Sequence, residues 1–277
     1  MGVLYLVPTP IGNLEDVTLR ALRVLREVGL IAAEDTRTAR KLLNHYDIKT
    51  PFTSYHDHNR KAKIPFLIET LRTKDVALVS EAGMPAISDP GHELVVEAAK
   101  AGVQVVPLAG ASALTAALAV SGLPVEGSLF LGFLPRRKGE RRKLLESVRE
   151  LPHTIVAFES PHRLHSSLED ALVVLGDRRV AVCRELTKLY EEVFRGTLSQ
   201  ALDHFNSPRG EFTLVFAGAT DAKPSGDRDR DLAWARDELR RLKGEGVRAK
   251  EAVATVAGAA SLPRRDVYAL WLEIGSP

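Results

Sequence analysis

One cysteine, two methionines and two tryptophans in 277 residues leave little room for thiol or thioether chemistry. Cys183 has no second cysteine to pair with, so an internal disulfide is excluded and a reducing compartment, the cytoplasm, is expected. Lying against the apolar run Val180-Ala181-Val182, it reads as a small buried hydrophobe rather than a nucleophile. A lone thiol also excludes a thiolate zinc site, and the histidines show no HExxH spacing. His56 and His58 would share one strand face but suit a polar surface, so no metal is expected. There is no GxxxxGKS/T, no GxGxxG after the first strand and no GxSxG elbow. An excess of one charge is missing too. The formal net charge is +2, so an anionic partner would have to be met by a local patch. The uncharged stretch Val103 to Val125 is divided by Pro107, Gly110, Ser112, Ser121 and Gly122 into a strand and a small-residue helix, which argues against a membrane span. Met1 to Leu6 lacks the basic region of a secretory signal.

What is present is an alternation of short β-branched runs with amphipathic segments, the pattern of right-handed βαβ units around a mainly parallel sheet. The runs Leu4 to Val7, Leu30 to Ala33, Phe52 to Tyr55, Val76 to Val79 and Gln104 to Leu108 predict strands. Helices are expected over Thr18 to Val28 (buried face Leu19, Leu22, Leu25 and Val28), Arg40 to Tyr46, around Ile64 to Leu71, after Pro90, and over Ala113 to Val120. The segment SEAGMPAISDPG, Ser80 to Gly91, stands between a strand and a helix. Ser88 and Asp89 are good N-cap residues there, with Pro90 at the first helical position. Ligands of open α/β folds sit outside the carboxyl ends of strands, so this loop is either a ligand cradle or an ordinary strand-to-helix turn.

Composition shifts after Gly122-Leu123-Pro124. A second set of strands is expected at Leu129 to Phe133, Thr154 to Phe158, Arg179 to Cys183, Glu192 to Thr197 and Phe212 to Phe216. Their connections mix parallel and antiparallel, with helices over Leu164 to Leu175 and Leu198 to Phe205. The densest basic run, Arg136-Arg137-Lys138 through Lys143, is a solvated helix face or a phosphate-attracting surface. Asp221 to Asp231 reads as a linker. Three short helices follow, over Leu232 to Leu242, Ala249 to Ala259 and Arg264 to Leu272, arranged as a helix-turn-helix with Arg264 and Arg265 opening the last helix, or as a plain three-helix cap. The expected architecture is therefore α/β: residues 1–122, then 123–220, then a linker and small helical domain over 221–277.

Six segments in order, VPTPIGNLEDVT (Val7 to Thr18), AAEDTR (Ala32 to Arg37), SEAGMPAISDPG, PLAGASA (Pro107 to Ala113), FESPHR (Phe158 to Arg163) and CRELTK (Cys183 to Lys188), resemble the tetrapyrrole-methylase superfamily, in its branch that 2′-O-methylates a cytidine of small-subunit ribosomal RNA. The family's usual GxGxGD-like opening is VPTPIGN here and its GDP triplet appears within SDPG, so the backbone pattern transfers better than any side-chain role. The resemblance implies two α/β domains with S-adenosylmethionine in the cleft between them, held largely by main-chain groups. Pro8, Gly83, Ile87, Ser88, Asp89, Ser112 and Ala113 would come from the first domain, and Phe158 and Phe216, within Val215 to Ala217, from the second. It further implies 16S rRNA or the small subunit as partner, and a homodimer. A ribose hydroxyl needs help to lose its proton, for which Asp35, Glu185 and Lys188 are the candidates, the last two nearest the reacting group. Phosphates would be met by Arg37, Arg136, Arg137, Lys138, Arg163, Arg264 and Arg265. The alternatives are carbon methylation of a tetrapyrrole, which would want an apolar trough, and a non-catalytic RNA-binding assembly factor.

Overall fold

The computed structural model describes residues 1–219, 228–260 and 262–274. Its contacts separate two compact units, Met1–Gly218 and Ala219–Pro277. In the first unit, β1 (Val3–Leu6), β2 (Leu30–Ala33), β3 (Phe52–Ser54), β4 (Val76–Val79) and β5 (Gln104–Pro107) form a sheet in the order β3-β2-β4-β1-β5. All its pairings are parallel, with Leu4 opposite both Val76 and Val105. Leu4, Ile31, Ala77 and Val76 are fully buried, as expected for strands covered on both faces; each large aliphatic side chain removed from water contributes roughly 1.5–3 kcal/mol.

The helices α1 (Leu19–Glu27), α2 (Thr36–His45), α3 (Arg60–Thr70) and α4 (His92–Lys100) flank that sheet, and α5 (Ala113–Ser121) follows β5. Thr18 caps α1 by accepting the Ala21 N–H at 3.0 Å. The buried stripe of α1 runs through Ala21, Leu22, Val24 and Leu25, which leaves Leu19 on the solvent side, 87% exposed and off the expected core face. α2 starts a full turn before the expected Arg40 because Asp35 caps it, accepting the Arg37 N–H at 2.7 Å. Conversely, α4 begins only at His92 after Gly91, and no side chain caps it. Ser88 sits at φ +66° and Asp89 turns elsewhere, so the expected Ser88/Asp89 cap is not formed.

The second sheet contains β6 (Ser128–Phe133), β7 (Thr154–Glu159), β8 (Arg179–Arg184), β9 (Glu192–Thr197) and β10 (Phe212–Phe216), in the order β6-β7-β10-β8-β9. β6 and β7 are parallel. β10 runs antiparallel to both β7 and β8, with Phe212 opposite Glu159 on one side and Arg184 on the other. The start of β10 therefore shares a rim with the ends of β7 and β8. The helices α6 (Lys138–Ser147), α7 (Leu164–Leu175) and α8 (Leu198–His204) pack around Leu145, Leu168 and Phe216. α5 joins a separate cluster with Ile11, Val156, Cys183 and Val215, so the first lobe packs directly on the second sheet. Cys183 is 1% exposed, and burial pushes its thiol up to about 11, which fits an inert core residue.

The second unit consists of α9 (Arg228–Gly244), α10 (Ala249–Ala260) and α11 (Arg264–Glu273) around Ala235, Leu239, Val256, Val267 and Trp271. Of the expected linker, 221–227 lie outside the described residues and the remainder is already in α9, as Ser261 of the expected turn also lies outside them. No described helix is long and apolar enough to cross a membrane; Val103 to Val125 instead supplies β5 and α5.

Candidate functional site

Two backbone hydrogen bonds knit the turn after β1 to the turn after β4: Thr9 N–H to Gly83 C=O at 3.0 Å and Gly83 N–H to Thr9 C=O at 2.9 Å. Gly83 adopts φ +78°, which a side chain would strain. Thr9 Oγ1 donates to Ser80 C=O and Ser80 Oγ to Gly83 C=O, both at 3.3 Å, so the loop is fixed from inside. Above it opens a cavity of about 280 Å³. One wall is Gly83, Met84, Ile87 and Asp89, a second is Ser112 and Ala113, and the opposite lobe adds Phe133, Phe158, Glu211 and Thr213. The Phe133 and Phe158 rings meet edge to face at 5.5 Å. Ile87 and Phe133 are 47% and 54% exposed; large apolar side chains left open at a concave site mark a surface that a ligand covers.

The acidic side of this cavity is electrostatically loaded. Burial, then the neighbouring Glu34, Glu81 and Asp57 carboxylates, push Asp89 up to about 7, against a hydrogen bond with Ser80 that pulls it down. Glu34 is raised as well, mainly by burial, although it accepts the Glu81 N–H at 3.1 Å. A cationic ligand relieves such mutual repulsion.

Beside it lies a second cavity of about 340 Å³, between the turn after β1, α2 and the loop after β8. At its junction with the first stands a three-residue cluster. Lys188 Nζ donates to Glu185 Oε1 at 2.8 Å and to Glu211 Oε2 at 2.9 Å, and Glu185 Oε1 also accepts the Glu211 N–H at 2.9 Å. Burial alone would raise Glu185 and lower Lys188, but their pairing outweighs it, so Glu185 is held below and Lys188 above the usual range. The turn is tight: Glu185 and Thr187 have φ +49° and +68°, and a Cβ on Gly12 would lie 2.3 Å from Lys188 Cγ. Only glycine lets the first lobe approach the lysine this closely.

Of the sequence-predicted residues, the structure brings Gly83, Ile87, Asp89, Ser112, Ala113 and Phe158 to the first cavity and Lys188 to the second. Pro8 is buried behind the wall, where its ring fills the space a Gly110 side chain would need, and Thr9 and Ile11 face the cavities in its place. Ser88 is exposed beside Gly132 and lines neither cavity. Phe216 does not belong to the site: it is fully buried opposite Ile155 and Val180, at the far end of β10, because that strand runs away from the cleft. Asp35 is not placed as a base. Its carboxylate caps α2 and pairs with Arg37 at 2.8 Å, and the Arg37 side-chain hydrogen bond draws it down to about 2. Glu185 lines neither cavity and acts by holding its neighbours. Arg163 is a brace rather than a free cation: it pairs with the buried Glu159 at 2.7 Å and donates to Leu134 C=O at 2.8 Å. Arg37, Arg136, Arg137, Lys138, Arg264 and Arg265 are exposed, Arg137 pairing with Glu140 at 3.3 Å.

Sequence reasoning missed Ile11, Glu81, Phe133, Glu211 and Thr213, whereas Met84 falls within the expected wall Gly83 to Asp89. For Glu211 and Thr213 the missing information was the direction of β10; once it is antiparallel, the residues at its start fall on the rim reached by Ser160 and Glu185.

Residues 3–202 match the family model for Tetrapyrrole (Corrin/Porphyrin) Methylases. The chain is 48% identical to the Ribosomal RNA small subunit methyltransferase I of Halalkalibacterium halodurans over 98% of this chain and 94% of that one. It is 48% identical to its namesake from Synechocystis, at 99% of each chain. It is 52% identical to the Thermotoga maritima protein of that name over 79% of this chain and 99% of that one. In fold it resembles a diphthine synthase, with TM-score 0.60 and 18% identity over 78% of this chain and 90% of that one. A uroporphyrin III C-methyl transferase from Thermus thermophilus gives TM-score 0.57 and 20% identity over 78% and 97%. The fold is shared with these solved structures, and the family match over residues 3–202 together with near full-length relatives at 48% identity shows that the chain belongs to the tetrapyrrole methylase family.

Proposed function

We propose that this protein transfers a methyl group from S-adenosylmethionine to the ribose 2′-hydroxyl of a cytidine in 16S rRNA of the small ribosomal subunit. The observation that carries this is near end-to-end identity of 48% with two proteins named as ribosomal RNA small subunit methyltransferases. The first cavity suits the methyl donor. Phe133 and Phe158 offer an apolar floor, and the Asp89 side, shared with Glu34 and Glu81, offers negative charge to a ligand bearing a sulfonium and an ammonium. When bound, that molecule supplies a methyl group already activated for displacement. The chain then has to orient the acceptor, exclude water and accept a proton. Phe133, Phe158 and Ile87 line the donor cavity with apolar surface, while Lys188 and Glu211 stand on the acceptor side. Exposed Arg136, Arg137 and Lys138 on the second lobe, and Arg264 and Arg265 on α11, are suited to phosphate contacts.

Labelled S-adenosylmethionine offered with small subunits, protein-free rRNA and uroporphyrinogen, followed by mapping of the label, tests this. Label on a cytidine ribose is expected; label on the tetrapyrrole, or none on RNA, would sink it. We also propose that the protein works in the cytoplasm as a homodimer, which light scattering would register as twice the chain mass.

A further inference from the structure

We infer that the second cavity is the acceptor subsite, taking the base and ribose of one everted nucleotide, and that Glu211 receives the proton of its 2′-hydroxyl. This rests on the methyl-transfer reading above and deepens it. At about 340 Å³ the cavity is at the small end of the roughly 300–1,000 Å³ typical of ligand pockets, the scale of a nucleoside. A duplex nucleotide cannot present its ribose to a recessed site without leaving the stack, so a separate pocket for the everted residue is required. The walls have the right chemistry. Pro10, Leu14 and Leu42 give apolar surface for a base, Thr38 a hydroxyl, and Lys41, exposed on α2, a cation for the flanking phosphate.

The two cavities share Ile11, Glu81, Ala82 and Glu211, so atoms exchanged between their occupants must pass this boundary. Glu81 belongs to the acidic wall with Glu34. Glu211 differs: its side chain is 74% exposed, Lys188 holds Oε2, and among the described residues Oε1 has no hydrogen-bond partner. Glu185 fixes the arrangement by binding both the Lys188 ammonium and the Glu211 N–H. Lys188 has three protons and spends two on these carboxylates, which leaves one for the acceptor oxygen. The step balances: the 2′-oxygen bonds to the methyl carbon, its proton passes to Glu211 Oε1, and the carbon–sulfur electron pair stays on sulfur, leaving a neutral thioether. Glu211 then returns the proton to water.

Three variants test the assignment with labelled S-adenosylmethionine and unmodified small subunits. Thr38→Trp fills the second cavity; methyl transfer should fall by about 100-fold or more while the donor's dissociation constant, measured by calorimetry, stays unchanged. Glu211→Gln should lower kcat by about 100-fold or more and leave KM for the donor unchanged. Lys41→Glu, at an exposed position that folding tolerates, should raise KM for the subunit without changing donor affinity. Wild-type transfer by Thr38→Trp, or an unchanged subunit KM in Lys41→Glu, would overturn the acceptor pocket; an unchanged kcat in Glu211→Gln would overturn the proton acceptor. If the wild-type protein methylates no RNA, the reading underneath fails and this inference with it, an outcome distinct from an active wild type whose variants are equally active.

Discussion

Glu185 holds Lys188 at 2.8 Å and, through the same oxygen, the backbone N–H of Glu211 at 2.9 Å. A carboxylate that lines neither cavity thus fixes two groups that do. Glu185→Ala leaves the Glu211 N–H unpaired and Lys188 with Glu211 Oε2 as its remaining partner in a half-buried turn, and should cost about 1–3 kcal/mol of stability, with a fall in single-turnover methyl transfer close to that of Lys188→Ala. Because pairing lowers the Glu185 pKa, its contribution is complete above the ordinary carboxylate range and is lost as pH falls through the folded value. Urea denaturation of wild type and Glu185→Ala should therefore differ at pH 7 and converge on acidification. Wild-type single-turnover rates in both variants would remove the cluster from the chemistry.

The Asp89 carboxyl carries the opposite sign. Its pKa of about 7 exceeds that of an unfolded aspartate, so ionisation opposes folding as pH rises from about 4 to 7. Asp89→Asn should then be more stable than the wild type at pH 8 and not at pH 4. The side chain is only partly buried, so the gain is on the order of 1 kcal/mol, or roughly 2–4 °C in Tm. Donor binding should show the reverse cost. Affinity of the wild type for S-adenosylmethionine should strengthen as pH rises through 7, while Asp89→Asn should bind more weakly and without that pH dependence; calorimetry at pH 6 and 8 checks both.

Arg163 illustrates how a basic residue in a family motif turns out to be structural. Its partner Glu159 is 2% exposed, and Ser167 Oγ donates to the other Glu159 oxygen at 2.6 Å. Removing the guanidinium strands a buried carboxylate, so Arg163→Ala should lose about 3–5 kcal/mol in chemical denaturation. Lysine, without the planar fork, should recover only part of this. An RNA-contact role predicts instead an unchanged stability and a weaker salt dependence of RNA binding.

Most strands were legible because they are short apolar runs ended by a turn residue, unlike β9 with its Glu192 and Arg195, and the cradle because Gly83 and Ser112 follow such runs. The chemistry at the rim was less so. Asp35 looks like a base in the string AAEDTR, yet a carboxylate one residue before a helix satisfies backbone N–H groups first. Phe216 ends β10 and Glu211 immediately precedes it, and only the antiparallel pairing of the strand decides which end meets the cleft. Tertiary direction, invisible in local periodicity, thus separated the core residue from the candidate proton acceptor.

The Thermotoga maritima relative spans 79% of this chain at 99% of its own length, a share that matches the extent of the Met1–Gly218 unit. A chain ending at Gly218 should accordingly fold and bind S-adenosylmethionine with unchanged affinity, since every residue of both cavities lies before that point. What it should lose is RNA affinity carried by α11, where Arg265 is 96% exposed. Each phosphate contact removed lowers the slope of log binding constant against log salt by about 0.7–0.9. The truncation and the triple variant Arg136→Ala, Arg137→Ala, Lys138→Ala should therefore each flatten the salt dependence, and together they should do so additively, because the substituted residues belong to different units. A truncated chain with the full-length salt slope would assign the phosphate contacts to the first unit alone.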